Sequence, residues 1–97
     1  MYAIDFTPEA FGDLTEVRKF DQSRVVMAIE SQLSHEPTRQ TRNRNRLRAN
    51  KLAEWALRVD KFRVFYDVLL DSETVKIVAI GSKEGNKLWI RGEKFDL

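Results

Sequence analysis

From Leu52 to Val68 the chain reads LAEWALRVDKFRVFYDV, and from Glu54 onward apolar and polar positions alternate at period two with one interruption, the pair Asp60-Lys61. Such alternation around a short polar break predicts a β-hairpin. With those two residues as the loop, Trp55 faces Tyr66, Leu57 faces Val64 and Val59 faces Phe62 on one side of the hairpin, which is the expected core face. The other side sets Glu54 opposite Asp67, Ala56 opposite Phe65 and Arg58 opposite Arg63. Like charges directly across a strand pair cost very roughly 0.2–1 kcal/mol. Two arginines held side by side on a sheet suit an anion between them, because guanidinium groups grip phosphate in a bidentate fork. This second side is the expected working surface. The loop departs from the usual two-residue turn, since Lys61 stands where Asn-Gly or Asp-Gly turns place glycine.

The flanking segments supply the remaining elements. Tyr2 to Phe6 alternates as a short strand. Thr7-Pro8 then reads as an N-cap followed by proline at the first helical position, so a helix is predicted from Pro8 to Phe20 with Ala10, Leu14 and Val17 as its apolar stripe and Phe11 alongside. Asp21 can cap a second helix reaching Ser34 that buries Val25, Ile29 and Leu33. After the hairpin, Leu70-Asp71-Ser72-Glu73 is a turn and Thr74 to Ile80 is a third strand of high β propensity, ended by Gly81. A polar loop follows, then the apolar run Leu88-Trp89-Ile90 and a short tail from Arg91-Gly92. The order βααβββ predicts an α+β fold in one domain spanning residues 1–97, a two-helix hairpin packed on a mainly antiparallel twisted sheet.

Composition narrows the function. Hydrophobic residues make up 42% and charged residues 33% of the chain, the balance of a water-soluble domain, and no apolar run approaches a membrane span. The start MYAIDFT has a strand pattern and lacks the basic and apolar regions of a signal peptide, so a cytoplasmic location is expected. Cysteine is absent and His35 is the single histidine. That excludes disulfides, a cysteine nucleophile and a classical zinc site, and neither a metal nor a cofactor is expected. His35 stands where the second helix should stop, in the place of a helix-end residue.

Charge changes the picture more. The net charge is only +2, but residues 37–63 hold nine basic and two acidic side chains, whereas residues 1–36 hold three and seven. Within that middle third, Thr38 to Lys51 carries Arg39, Arg42, Arg44, Arg46, Arg48 and Lys51 and no acid. Arginine at every second position from 42 to 48 suits an extended segment presenting its charges in one direction. Such a rail is a candidate for RNA-backbone contact through phosphate neutralisation and counterion release.

The element order together with Leu57-Arg58, Phe62-Arg63-Val64-Phe65-Tyr66-Asp67-Val68 and Ile77-Val78-Ala79-Ile80-Gly81 resembles the RelE/ParE toxin superfamily of bacterial type II toxin–antitoxin modules. The likeness spans nearly the whole chain and is strongest from Leu52 to Gly81. It implies a toxin neutralised by a cognate antitoxin, which the basic rail and arginine face predict to carry an acidic, partly disordered segment. In the RelE-like branch it implies metal-independent endonucleolytic cleavage of mRNA in the ribosomal A site, with mRNA and rRNA as partners. In the ParE-like branch the same scaffold implies inhibition of DNA gyrase without chemistry of its own.

Residue by residue, Arg63 matches the superfamily's strand arginine and Arg58 a common position beside it. Lys83 falls where relatives often carry a phosphate-contacting arginine, and Trp89 where they often carry tyrosine or histidine. The first hairpin strand departs from the RelE prototype, with Glu54 and Ala56 in place of lysines. Glu54 is therefore the candidate base, set against the like charge of Asp67, and Trp89 a candidate base-stacking group that cannot serve as an acid. With these three changes, at Glu54, Ala56 and Trp89, a catalytically weakened toxin is a further alternative.

Overall fold

The computed structural model describes residues 1–96. Two helices, α1 (Pro8–Glu16) and α2 (Lys19–Leu33), pack on one side of a sheet built from β1 (Ala3–Phe6), β2 (Arg44–Arg46), β3 (Trp55–Val59), β4 (Phe62–Leu69), β5 (Thr74–Glu84), β6 (Lys87–Ile90) and β7 (Glu93–Phe95). Strands β2 to β7 follow one another across the sheet in chain order, all antiparallel, and β1 lies parallel to the first part of β5. No helix among the described residues is long and apolar enough to cross a membrane. The expected α+β architecture is present, extended by β2, β6 and β7, which the alternation pattern did not separate from loops.

Local chemistry explains the helix boundaries. Thr7 Oγ1 accepts the Ala10 N–H at 3.1 Å, as an N-cap should. The first helix stops at Glu16 rather than Phe20, because Val17 and Arg18 are extended and α2 starts at Lys19. Gln22 steadies that two-residue joint by donating from Nε2 to the Val17 carbonyl at 2.6 Å. Asp21 consequently sits in the first turn of α2 instead of capping it. Phe11 and Phe20 both face outward.

The hairpin register is the one the alternation predicts, with Trp55 paired to Tyr66, Ala56 to Phe65, Leu57 to Val64, Arg58 to Arg63 and Val59 to Phe62. Asp60 takes the left-handed conformation (φ 53°) that lets a loop without glycine close. On the helix side, Val25, Ile29 and Leu33 bury against Trp55, Leu57, Val64, Tyr66, Val75 and Ile77. The Trp55 and Tyr66 rings stack with centroids 6.2 Å apart. Tyr66 is fully buried and donates its hydroxyl to the Pro37 carbonyl at 2.7 Å, and burial pushes its phenol well above the usual tyrosine range. The opposite side, the expected working surface, is partly covered. Ala56 and Phe65 are buried there with Ala79, Leu88 and Ile90, under Leu47 and Phe95, because the later strands carry their own apolar face over the hairpin.

Strand β5 holds the decisive irregularity. Its pairing with β4 passes from Tyr66 opposite Ile77 to Phe65 opposite Ala79, which leaves Val78 as an extra residue, a β-bulge. Val75 and Ile77 face the helices, so strict alternation would send 79, 81 and 83 the same way. The extra residue reverses that parity. Ala79 joins the second cluster while Ile80 returns to the helix side. The strand also runs through Gly81 to Glu84 instead of ending there. Glycine is needed at that point because a Cβ would lie 2.6 Å from the Trp89 carbonyl oxygen and 2.7 Å from Ile90 Cγ1.

On its other edge β5 is covered by β1 as far as Ile77 and by β6 from Ser82. An ion pair fills the gap. Asp13 Oδ2 accepts the Ile80 N–H at 3.0 Å, Arg91 Nη2 donates to the Val78 carbonyl at 3.1 Å, and Arg91 Nε donates to Asp13 Oδ1 at 2.8 Å. The Asp13 side chain is only 6% exposed. Asp13→Ala strands both the Ile80 N–H and Arg91, and is expected to cost about 2–3 kcal/mol, read as a lower urea midpoint at unchanged slope. Glu9→Ala, on the exposed side of the same helix, should stay within about 0.5 kcal/mol of the parent. Equal midpoints for the two variants would show that the gap closes without the carboxylate.

Candidate phosphate-binding site

With the parity of β5 reversed, Lys83 emerges on the same side of the sheet as Arg58 and Arg63. The three cations, one each from β5, β3 and β4, line a single cavity of about 340 Å³ together with Asn45, Leu47, Ala56, Phe65, Asn86, Leu88, Phe95 and Asp96. Lys83 is a strand residue, paired with Leu88 and donating its backbone N–H to the Lys61 carbonyl at 2.7 Å, not a residue of the loop after Gly81. Arg63 is half-buried, and its Nη1 donates to the Asp60 carbonyl at 2.8 Å and the Phe62 carbonyl at 2.9 Å. Burial, and behind it the like charge of Arg58, holds the Arg63 guanidinium below the usual arginine range. An arginine does not release its proton at physiological pH. An anion touching both side chains would relieve that unfavourable charge.

Two of the sequence candidates stand apart from this cavity. Glu54 precedes β3 and lies four residues, about 13 Å along an extended strand, from Arg58. Its carboxylate is 3.6 Å from Arg46, and its backbone N–H donates to Asp67 Oδ1 at 2.8 Å, so Asp67 acts on it as a backbone acceptor. Trp89 pairs with Ser82, which places Leu88 and Ile90 on the cationic side and Trp89 on the helix side. There it lines a larger groove of about 810 Å³ between α1 and the sheet, alongside Asp13, Val17 and Phe62.

The basic rail is divided as well. Arg44 and Arg46 pair with Leu57 and Trp55, so they share the helix side of the sheet, opposite to Arg58 and Arg63. Arg44 donates from Nη1 to the Gln32 carbonyl and from Nε to the Arg39 carbonyl at 3.1 Å, closing the C-terminal end of α2. Arg46 lies over the Trp55 ring, 5.8 Å from its centroid. Arg39 has the Glu36 carboxylate at 3.3 Å. Thus the rail is not without counter-charge, since Glu36 and Glu54 approach it from outside the segment. Arg42, Arg48 and Lys51, the rest of the rail, are exposed, as are Arg39 and Arg46.

Several lining residues escaped the sequence reading. Asn45 lies between two arginines of the rail, and its pairing with Ala56 puts it on the cationic side. Asn86 belongs to the tight turn between β5 and β6, beside Gly85 (φ 66°). Phe95 and Asp96 arrive by the pairing of β7 with β6. The four consecutive apolar residues Ile77 to Ile80 were the available signal of the bulge, because an unbroken apolar run has no consistent alternation to follow.

Comparison with known proteins agrees with this architecture. The family model described as the ParE toxin of the type II toxin–antitoxin system parDE matches residues 4–86. No curated protein sequence matches the chain. Among solved structures, the toxin–antitoxin complex RelBE2 from Mycobacterium tuberculosis contains a chain similar to this one with a TM-score of 0.71 at 26% identity, covering 81% of this chain and 94% of that one. A chain of the archaeal RelE–RelB complex from Pyrococcus horikoshii OT3 shares the fold, with a TM-score of 0.68 at 19% identity over 87% of this chain and 97% of that one. With the family model covering β1 through the β5–β6 turn, the chain belongs to the ParE toxin family of the RelE/ParE superfamily and is a toxin of the type II toxin–antitoxin class.

Proposed function

We propose that the protein is a RelE-like toxin that cleaves ribosome-bound mRNA in the cytoplasm without a metal, with Arg58, Arg63 and Lys83 around the scissile phosphate. The observation that carries this reading is the meeting of three cations from three strands in one cavity. In the reaction the ribose 2′-oxygen bonds to phosphorus as the bond from phosphorus to the 5′-oxygen breaks, leaving a 2′,3′-cyclic phosphate and a 5′-hydroxyl. The 2′-OH proton passes to water, and the leaving 5′-oxygen takes one from water. Negative charge builds on the non-bridging oxygens in the transition state, where cations already in place stabilise it. Glu54, paired with Arg46, and Trp89, on the other side of the sheet, take no part in this version of the chemistry. The partner is a cognate antitoxin, as the similarity to a chain of a toxin–antitoxin complex supports, and the charge of the cavity calls for an acidic segment on it.

The ParE family model supports a second reading, inhibition of DNA gyrase by binding alone. Primer extension on a translated message after induction separates the two. Codon-spaced cuts are expected; intact message with stalled gyrase–DNA complexes would establish the second reading instead.

Arg63→Ala should abolish growth inhibition, with single-turnover cleavage slowed on the order of 100- to 1000-fold. The fold should persist, since removing one of two facing arginines relieves repulsion. Arg63→Lys should recover only part of the rate, because a point charge cannot make the bidentate contact. Cleavage within a few-fold of the parent in Arg63→Ala would remove the cations from the chemistry.

For docking, the triple variant Arg42→Ala, Arg48→Ala, Lys51→Ala should weaken ribosome association and flatten its salt dependence by about 0.7–0.9 log–log units for each phosphate no longer neutralised. Cleavage at saturating toxin should survive. Unchanged ribosome binding would make the exposed rail ordinary solvated surface.

A further inference from the structure

Resting on the phosphate reading above, we infer that Arg24 on α2 is a positioning residue for the cations: through Asp60 it anchors the β3–β4 turn, and that turn sets where Arg63 and Lys83 stand. Neither Arg24 nor Asp60 lines the cavity. Their role follows from the contacts that connect them to it.

The turn between β3 and β4 is Asp60-Lys61, and the carbonyl of each residue supports one of the cations. The Asp60 carbonyl accepts from Arg63 Nη1 at 2.8 Å. The Lys61 carbonyl accepts the Lys83 backbone N–H at 2.7 Å, which fixes the point at which the Lys83 side chain leaves its strand. A displaced turn therefore displaces Arg63 and Lys83 together. Connecting segments move more than the strands they join, and a misplacement of about 1 Å is enough to slow a reaction severely. This tip needs an anchor.

The side chain of Asp60 supplies it. Of the two loop residues Asp60 alone has a positive φ, 53°, a conformation that glycine adopts without steric cost. The turn would close more readily with glycine there, so the use of the carboxylate lies outside the turn. It pairs with the Arg24 guanidinium, which ties the hairpin tip to the helix layer. Arg24 is itself held from two further directions, by Asp21 Oδ1 at 3.4 Å and by the Phe20 ring, whose centroid lies 5.9 Å from the guanidinium carbon. Asp21 belongs to the first turn of α2, and its side chain is only 16% exposed. The chain of contacts thus runs from a well-packed helix through Arg24 and Asp60 to Arg63.

The test measures binding of inorganic phosphate by calorimetry, together with urea midpoints, for the purified toxin and its variants. Asp60→Asn is the decisive substitution. Asparagine tolerates the left-handed backbone as aspartate does, so the turn and the midpoint should be kept while a negative charge near the three cations is removed. Charge alone then predicts tighter phosphate binding. Loss of the anchor predicts the opposite: phosphate is expected to bind about three- to fivefold more weakly, the scale of one partly exposed ion pair. Arg24→Gln should weaken it by a similar factor, and the double variant by no more than either single one, because the two side chains act through one contact. Phosphate binding that is unchanged or tightened in Asp60→Asn, or losses that multiply in the double variant, overturns the anchoring role and leaves the phosphate site standing. A parent protein that does not bind phosphate, or an Arg63→Ala variant that binds it as the parent does, overturns the phosphate site itself and the anchoring role with it.

Discussion

Val78, the one residue that β5 has in excess of its partner β4, decides on which side of the sheet Lys83 stands. Side chains on a strand alternate strictly, so a single inserted residue exchanges the two faces for everything that follows it. With the insertion, Ile80 is buried under the helices and Lys83 faces the arginines. Without it, Ile80 would leave the core, forfeiting about 1.5–3 kcal/mol of apolar burial, and Lys83 would turn toward the helices. Hydrophobic packing and site assembly therefore favour the same register. The Asp13–Arg91 pair supports it from the far side by occupying the stretch of β5 that neither β1 nor β6 reaches.

The basic middle third of the chain divides along the same sheet. Arginines on the helix side obtain partners from the fold itself: Arg44 the carbonyls at the end of α2, Arg46 the Trp55 ring and the Glu54 carboxylate. On the opposite side, Arg58 and Arg63 face each other, and the bonds to Arg63 come from turn carbonyls that orient it without neutralising it. A charge held in position is preorganised for an anion, since little reorientation accompanies binding. Compositional bias alone does not make that distinction. It depends on which of two alternating positions each arginine occupies.

How far the sequence revealed this follows from the range of each signal. The β3–β4 hairpin was legible to the residue because alternation and a two-residue loop fix a local register. The fold class followed from element order and from the helical stripes Val25, Ile29 and Leu33. Arg58 and Arg63 were legible as a pair for the same local reason. The joining of Lys83 to them was not derivable from spacing, since it depends on a bulge within an unbroken apolar run. Glu54 and Trp89 were assigned by position along the chain. Their separation from the cavity comes from strand length in one case and from the parity of β6 in the other. Asn45 and Asp96 were hidden because the strands that bring them in, β2 and β7, are only three residues long and too short to show a period.

The cavity also bears on how the two proposed readings, ribonuclease and binding-only inhibitor, differ. Among its described lining residues there is no serine, cysteine or histidine to serve as a nucleophile. What it provides is oriented positive charge, which any nucleic-acid backbone satisfies. Whether chemistry follows then depends on the polymer. RNA carries a 2′-hydroxyl adjacent to the phosphorus, and a site that aligns it in line with the 5′-oxygen converts electrostatic stabilisation into cleavage. DNA lacks that hydroxyl, so the same cations can only hold it. In the proposed ribonuclease reading the attacking oxygen belongs to the substrate, and the protein's part is to place the phosphate and stabilise the charge that develops on it.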